Sequence, residues 1–290
     1  MFKGSLVAIV TPFENGKIDE KRFKDLIEFQ IKAGTSGIVP CGTTGESATM
    51  SLAEHERVVD LTVQTVSGRV PVIAGTGSNN TAEAIELTNH AKVAGADGAL
   101  LISPYYNKPT QRGLLLHFQA IAKSVDIPIV LYNIASRTGI NIEPATAAEL
   151  SQIKNIVAIK EASGNVSQMA QILKLCGDNL ALISGDDALT LPVLAIGGVG
   201  VISVVANIVP DQSAELIKQF EQGNIAEAKK IYYRLLPLIK AMFIETNPIP
   251  VKTAMGLMGL IKPELRLPLC PMLAKNEEKL KTVLKQYKLI

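Results

Sequence analysis

Eight short apolar, β-branched runs recur along this chain, separated by stretches with the periodicity of amphipathic helices, and that alternation limits the folds open to it. The runs are Leu6 to Val10, Gly37 to Pro40, Val70 to Ala74, Ala99 to Ile102, Ile127 to Tyr132, Ile156 to Lys160, Leu180 to Ile183 and Gly200 to Val204. Their starts lie some twenty to thirty-odd residues apart, the length of one strand plus one helix. Between them, Asp19 is placed to cap a helix whose apolar face is Phe23, Leu26, Ile27 and Ile31. Ser51 with Glu54 and Asn80 with Glu83 have capping-box spacing, and Gly34 and Gly95 follow helices where a left-handed residue is wanted. The strands are continuously apolar rather than alternating, as strands covered on both faces are. About eight such units predict an α/β fold, a closed (β/α)₈ TIM barrel. An open doubly wound sheet is the alternative, but no G-x-G-x-x-G follows the first strand.

Past Asp211 the strand signal ends. Ser213 to Phe220, Ile225 to Ala241, Val251 to Leu257 and Lys275 to Lys288 all have helical patterning, with Asn247-Pro248-Ile249-Pro250 as a stiff link. The division expected is a catalytic barrel over residues 1–224 and a C-terminal helical region over 225–290.

Charge and composition exclude other classes. With 29 Lys+Arg against 27 Asp+Glu there is no basic excess for nucleic acid. No apolar run has the length of a membrane span. Met1-Phe2-Lys3-Gly4 leads directly into an apolar run, so no targeting segment is expected. The three cysteines (Cys41, Cys176, Cys270) and three histidines (His55, His90, His117) form no disulfide framework and no metal motif. A cytoplasmic protein without nucleic-acid or membrane partners is expected.

In a barrel of this kind the site forms where strands end. Those ends carry Gly42-Thr43-Thr44-Gly45-Glu46, Tyr105-Tyr106, Tyr132-Asn133, Lys160-Glu161 and Gly185-Asp186-Asp187. Lys160 is the most informative, because Ala158 and Ala162 on its face leave room around its side chain. At an unperturbed pKa of ~10.4 a lysine is free amine about once in 2,500 molecules at pH 7. Burial that lowers the pKa to ~7–8 frees roughly a quarter of it, a change worth on the order of 4 kcal/mol, and prepares the amine to attack a ketone. An ion pair with Asp186 or Glu161 is the plainer reading. Tyr132 is either a proton shuttle or a core tyrosine, and Gly42 to Glu46 either a carboxylate cradle or an ordinary turn. Arg137 is either a bidentate carboxylate clamp or a solvated loop residue. Tyr105-Tyr106 suggests a site or a subunit contact. Gly197-Gly198 fits a tight turn better than a phosphate cradle, since no basic residue is near.

Across essentially its whole length the chain resembles the dihydrodipicolinate synthase family of pyruvate-dependent class I aldolases, which are related to N-acetylneuraminate lyase. The resemblance rests on Val10-Thr11-Pro12-Phe13, Gly42 to Ser47, Pro104-Tyr105-Tyr106-Asn107, Tyr132-Asn133, Ser136-Arg137-Thr138-Gly139, Ile159-Lys160-Glu161-Ala162, Ser184 to Asp187 and Asn247 to Pro250. It implies a lyase-type synthase that condenses pyruvate with L-aspartate 4-semialdehyde through a Schiff base on Lys160, a step toward diaminopimelate and lysine. Tyr132, Thr43 and Tyr106 would form the proton relay, Tyr106 entering from a neighbouring subunit. Thr44 and the backbone at Ile202 would hold pyruvate, and Arg137 the second substrate's carboxylate. A homotetramer is implied, and no metal or organic cofactor. Ser47, Ala48, His55, Asn79, Glu83 and Tyr105 match the family's lysine-inhibitor site, although Glu83 also fits a capping box and His55 a solvated helix start.

Two departures stand out. Ala135 replaces a frequent proline two residues before the arginine, which is expected to loosen the approach to Arg137. Leu52 stands where lysine-sensitive members often carry a second histidine. The competing readings are a pyruvate lyase for sialic or 2-keto-3-deoxy sugar acids, a catalytically silent lysine-sensing scaffold, and a phosphate-binding isomerase.

Overall fold

A computed structural model describes residues 2–290; Met1 lies outside them. The first strand, β1 (Gly4–Ala8), is followed by a hairpin of β2 (Phe13–Glu14) and β3 (Lys17–Ile18), then α1 (Glu20–Lys32). Strand–helix units follow as β4 (Gly37–Val39) and α2 (Leu52–Val66), β5 (Ile73–Gly75) and α3 (Thr81–Ala94), and β6 (Gly98–Ile102) and α4 (Gln111–Ser124). After β7 (Ile129–Asn133) come a single turn, α5 (Ala135–Thr138), and α6 (Pro144–Leu150). The remaining units are β8 (Ile156–Glu161) with α7 (Val166–Cys176), β9 (Ala181–Ser184) with α8 (Thr190–Ala195), and β10 (Gly200–Ser203) with α9 (Pro210–Glu221). Three helices close the chain: α10 (Ile225–Ala241), α11 (Ile249–Leu257) and α12 (Ala274–Gln286).

Eight of these strands form one parallel sheet in the order β4-β1-β10-β9-β8-β7-β6-β5. The two outer strands meet through Ile38 N–H donating to Pro71 O (2.9 Å) and Gly75 N–H donating to Pro40 O (2.9 Å), which closes the barrel. The interior is filled by Leu6, Ala8, Val39, Ile73, Leu100, Val130, Tyr132, Ala158, Ala181, Ile183 and Ile202. The opposite faces of the same strands pack on the helices, as Ile129, Leu131, Ile156 and Ile159 do. Each large side chain so buried contributes about 1.5–3 kcal/mol. No helix among the described residues is long and apolar enough to cross a membrane.

The helix signals have mixed outcomes. Asp19 accepts from Arg22 N–H and Ser51 with Glu54 makes a true capping box. Gly34 and Gly95 take positive φ (90° and 94°) at the ends of α1 and α3. The second capping box does not form. Asn80 accepts from Ala82 N–H, but Glu83 turns away to accept from the Ser78 hydroxyl. Gly197 and Gly198 make the tight turn before β10, where a Cβ on Gly198 would meet Val193 Cγ1 at 2.3 Å. The first strand begins earlier than its apolar run and the third later, at Gly4 and Ile73.

Candidate active site

A bulge aims the key lysine. β7 and β8 pair as Ile129 with Ile156, then Val130 with Ala158, so Val157 is the extra residue. Without it, strict alternation from outward-facing Ile156 would turn Lys160 toward the helices. With it, Ala158 faces the barrel interior and Tyr132 pairs with Lys160. Room for the lysine stem comes from Gly185, where a Cβ would lie 3.1 Å from both Cγ and Cε of Lys160.

Lys160 is 6% exposed, and its Nζ lies 4.1 Å from the centroid of the Tyr132 ring. Burial lowers its pKa to about 7; nearby Asp187 pulls it up and Arg137 pushes it further down. The plainer reading fails for both carboxylates. Glu161 faces away, accepting from Asn133 Nδ2 (2.9 Å), Gln168 Nε2 (3.1 Å) and Ser163 N–H (2.6 Å). Asp186 accepts from Ala188 N–H at 2.8 Å. The carboxylate felt by Lys160 is Asp187, which accepts from Val204 N–H (2.9 Å) and Val205 N–H (3.1 Å).

Tyr132 is buried, which raises its phenol to about 12, while Arg137 and Thr43 beside it act in the opposite direction. Thr43 and Thr44 sit in a turn closed by Gly45 N–H to Gly42 O (3.1 Å) and Glu46 N–H to Thr43 O (3.1 Å). Among the described residues no backbone acceptor takes the N–H of Thr43 or Thr44, which leaves two donors for an anion. Asn247 Nδ2 donates to Thr44 Oγ1 (3.0 Å), so the Thr44 hydroxyl keeps its own proton to donate. Arg137, on α5, donates from Nη2 to Asn247 O (3.2 Å) and lines the same cavity as Thr43 and Tyr132. Ile202 is buried in β10 among the interior residues.

That cavity, of about 470 Å³, extends to Ser47, Ala48, Leu52, His55, Glu83 and Tyr105. Asn79 joins them by donating from Nδ2 to Tyr105 O at 3.1 Å. His55 is not solvated. It is 6% exposed, with Nε2 2.8 Å from Gly75 O and Nδ1 buried without a partner, and burial lowers its pKa. Tyr106 stands apart: it is 89% exposed and does not line the cavity.

Sequence reasoning gave Asn247 no place in the site, and named Gly185 and Asp187 only as strand-end residues without a role. Asn247 was visible only as part of a proline-bracketed motif, and its role depends on the chain returning from the C-terminal helices to the barrel mouth. The dihydrodipicolinate synthetase family model matches residues 1–287.

The chain belongs to that family.

Over 291 residues it is 60% identical to the 4-hydroxy-tetrahydrodipicolinate synthase of Syntrophobacter fumaroxidans, with 100% of both chains covered. The crystal structure of the chloride-inhibited dihydrodipicolinate synthase of Acinetobacter baumannii complexed with pyruvate superposes with a TM-score of 0.98, at 43% identity and 100% coverage of both chains. The enzyme of Cyanidioschyzon merolae with lysine bound gives 0.96 at 42% identity, covering 100% of this chain and 99% of that one.

Proposed function

We propose that this member of the dihydrodipicolinate synthetase family is a 4-hydroxy-tetrahydrodipicolinate synthase that condenses pyruvate with L-aspartate 4-semialdehyde. The observation that carries the reading is Lys160, a buried amine outside every ion pair among the described residues, with a pKa lowered to about 7 and its Nζ 4.1 Å from the ring of Tyr132, which lines a cavity with Thr43 and Arg137. Full-length identity of 60% to a protein of that name supports the substrate pair.

In this reading the Lys160 amine attacks the pyruvate ketone carbon, and water leaves as the imine forms. The pyruvate carboxylate is held by the Thr44 hydroxyl and the free N–H groups of Thr43 and Thr44, with the Ile202 backbone beside it. Loss of a methyl proton gives the enamine, whose carbon bonds to the aldehyde carbon. Tyr132, with Thr43 beside it, carries protons to and from the carbinolamine and the new alkoxide. The substrate's own amino group then attacks the imine carbon and displaces Lys160 as the ring closes. Arg137 at the mouth takes the second substrate's carboxylate, and its charge also helps keep Lys160 unprotonated.

Tyr106 completes the relay from a second copy, in a homotetramer; its exposure at a loop tip supports that role. Residues 1–224 form the catalytic barrel and 225–290 the helical region. The arm of the cavity at Ser47, Ala48, His55, Asn79, Glu83 and Tyr105 takes lysine as a regulator, and Glu83 supplies the negative charge for its amine. The three unpaired thiols support a cytoplasmic setting.

The test is intact and peptide mass spectrometry after incubation with pyruvate and borohydride. A reduced pyruvyl adduct on Lys160 is the expected result; unmodified protein overturns the reading.

A further inference from the structure

The turn that carries Thr43 and Thr44 is bracketed by two non-glycine residues in the left-handed region, Cys41 (φ 56°) and Glu46 (φ 55°). Side chains other than glycine stay in that region only where their surroundings over-determine it. At Glu46 the surroundings come from α11 and the segment that follows it. Its carboxylate is buried, with Oε1 2.5 Å from Lys252 Nζ and Oε2 accepting the N–H of Arg266 at 3.2 Å. Lys252 lies on α11, is 0% exposed, and also donates to Thr11 O at 2.9 Å. The Thr11 hydroxyl in turn donates to Gly45 O at 2.7 Å. The Phe13 ring is approached by both cations, Lys252 Nζ at 4.3 Å and Arg266 Cζ at 4.2 Å from its centroid. At the head of the same segment, Asn247 holds the Thr44 hydroxyl itself.

We infer that the buried Glu46–Lys252 pair is a positioning device for the two threonines, by which helix α11 fixes the turn from behind. Neither residue touches the reacting atoms in the mechanism above, and the inference rests on the roles given there to Thr43 and Thr44. A buried ion pair adds little net stability over an apolar pair of the same volume, but it has one good geometry. It suits a device that must define where a loop sits. The C-terminal helices then take part in the construction of the active site.

The test replaces both charges with neutral groups of similar shape, Glu46→Gln with Lys252→Met. Melting temperature, steady-state kinetics and borohydride trapping of pyruvate are measured on the full chain, with turnover expressed per trappable Lys160. The double variant is expected to melt within a few degrees of the wild type. Its KM for pyruvate rises about 10-fold and its turnover falls about 10- to 100-fold, the scale of a sub-ångström to 1 Å misplacement. The KM for the aldehyde, set at Arg137, stays within about twofold. Wild-type pyruvate KM and turnover per trapped site overturn the inference, whatever the melting temperature. Where the double variant yields no folded protein, Glu46→Gln alone offers no remedy, because it leaves Lys252 buried without its counter-charge. The single variant used is instead Glu46→Asp, which keeps both charges and shortens the reach by one methylene; a roughly 3-fold change in the same direction is expected, and wild-type values there overturn the inference. Absence of any trapped adduct in the wild type brings down the aldolase reading, and this inference with it.

Discussion

Tyr132 and Lys160 pair at the same level across β7 and β8, with the lysine nitrogen 4.1 Å from the centre of the phenol ring. The ring face favours an ammonium by about 0.5–2 kcal/mol. Burial opposes it more strongly and brings the pKa to about 7. The result is an amine half free at neutral pH beside a phenol still protonated there, a nucleophile and a proton donor side by side.

Lys160 therefore sets a pH dependence in both activity and stability. The rate of borohydride trapping with pyruvate is expected to rise through pH 7 and level off above it. In the unfolded chain the lysine keeps its proton to about pH 10.4, so between the two values the unfolded state binds more protons and stability rises with pH. Below about pH 7 the full penalty is present. Lys160→Met should thus stabilise the protein at neutral pH by about 1–4 kcal/mol, with the gain shrinking toward pH 10. Urea unfolding of both proteins at pH 7 and pH 9 checks this; an equal difference at the two values counts against it.

Gly185→Ala tests whether the lysine stem needs the space it has. The added methyl would lie 2.8 Å from Ala162 Cβ and 3.1 Å from Lys160 Cγ and Cε, close enough to push the side chain aside. A fall in trapping rate of about 10- to 100-fold is expected, with cooperative thermal unfolding retained. Wild-type trapping would mean that Lys160 tolerates displacement.

Asn133 closes the neck of the loop that carries Arg137. Its Oδ1 accepts from Ile142 N–H (2.9 Å), and its Nδ2 donates to Asn141 Oδ1 (2.8 Å) and Glu161 Oε2 (2.9 Å). These bonds hold both ends of the excursion together, so the loop is pinned at its base although Ala135 replaces a proline. For Asn133→Ala, the expectation is a KM for the aldehyde raised about 10-fold and stability lowered by about 1–3 kcal/mol through the buried Glu161 left short of a donor. Pyruvate trapping should stay within about twofold. Equal losses in both half-reactions would make Asn133 a general scaffold residue.

Saturating L-lysine should raise the melting temperature by roughly 2–4 °C if it binds the folded protein at the cavity arm. Glu83→Ala should remove that shift. Differential scanning fluorimetry with lysine to millimolar concentration is the measurement, and a flat response in the wild type would leave this arm without a regulatory ligand.

The barrel was legible because continuous apolar runs survive any small error in register: the eight runs overlap the eight strands even where their ends move by two or three residues. The site was legible by residue type but not by direction. Lys160 faces inward because of the extra residue Val157, and nothing in Ile156-Val157-Ala158-Ile159-Lys160 marks a bulge. Glu83 has capping-box spacing from Asn80, yet Ser78 outcompetes the helix end for it, a contest decided by the loop's path. The β2–β3 hairpin was there to be read in Asn15-Gly16, whose positive φ values (54° and 76°) match a two-residue turn. Lys252 gave no signal at all: a lysine inside an apolar helix pattern looks like an interruption until its partner on a distant loop is known.

One seam of the barrel differs from the rest. Between β4 and β5 the ladder passes Pro40 and Pro71, neither of which has an amide hydrogen to give. Only a sparse set of bonds spans the gap, and Gly75 lies so near Cys41 that a methyl there would sit 2.3 Å from its carbonyl oxygen. The threonine turn leaves from one side of this seam, and His55 fastens to the other through Gly75 O. A solvent molecule or small ligand that parted these two staves would disturb the threonine turn and the arm of the cavity around His55 together, making this join the place where the two halves of the cavity share one mechanical fate.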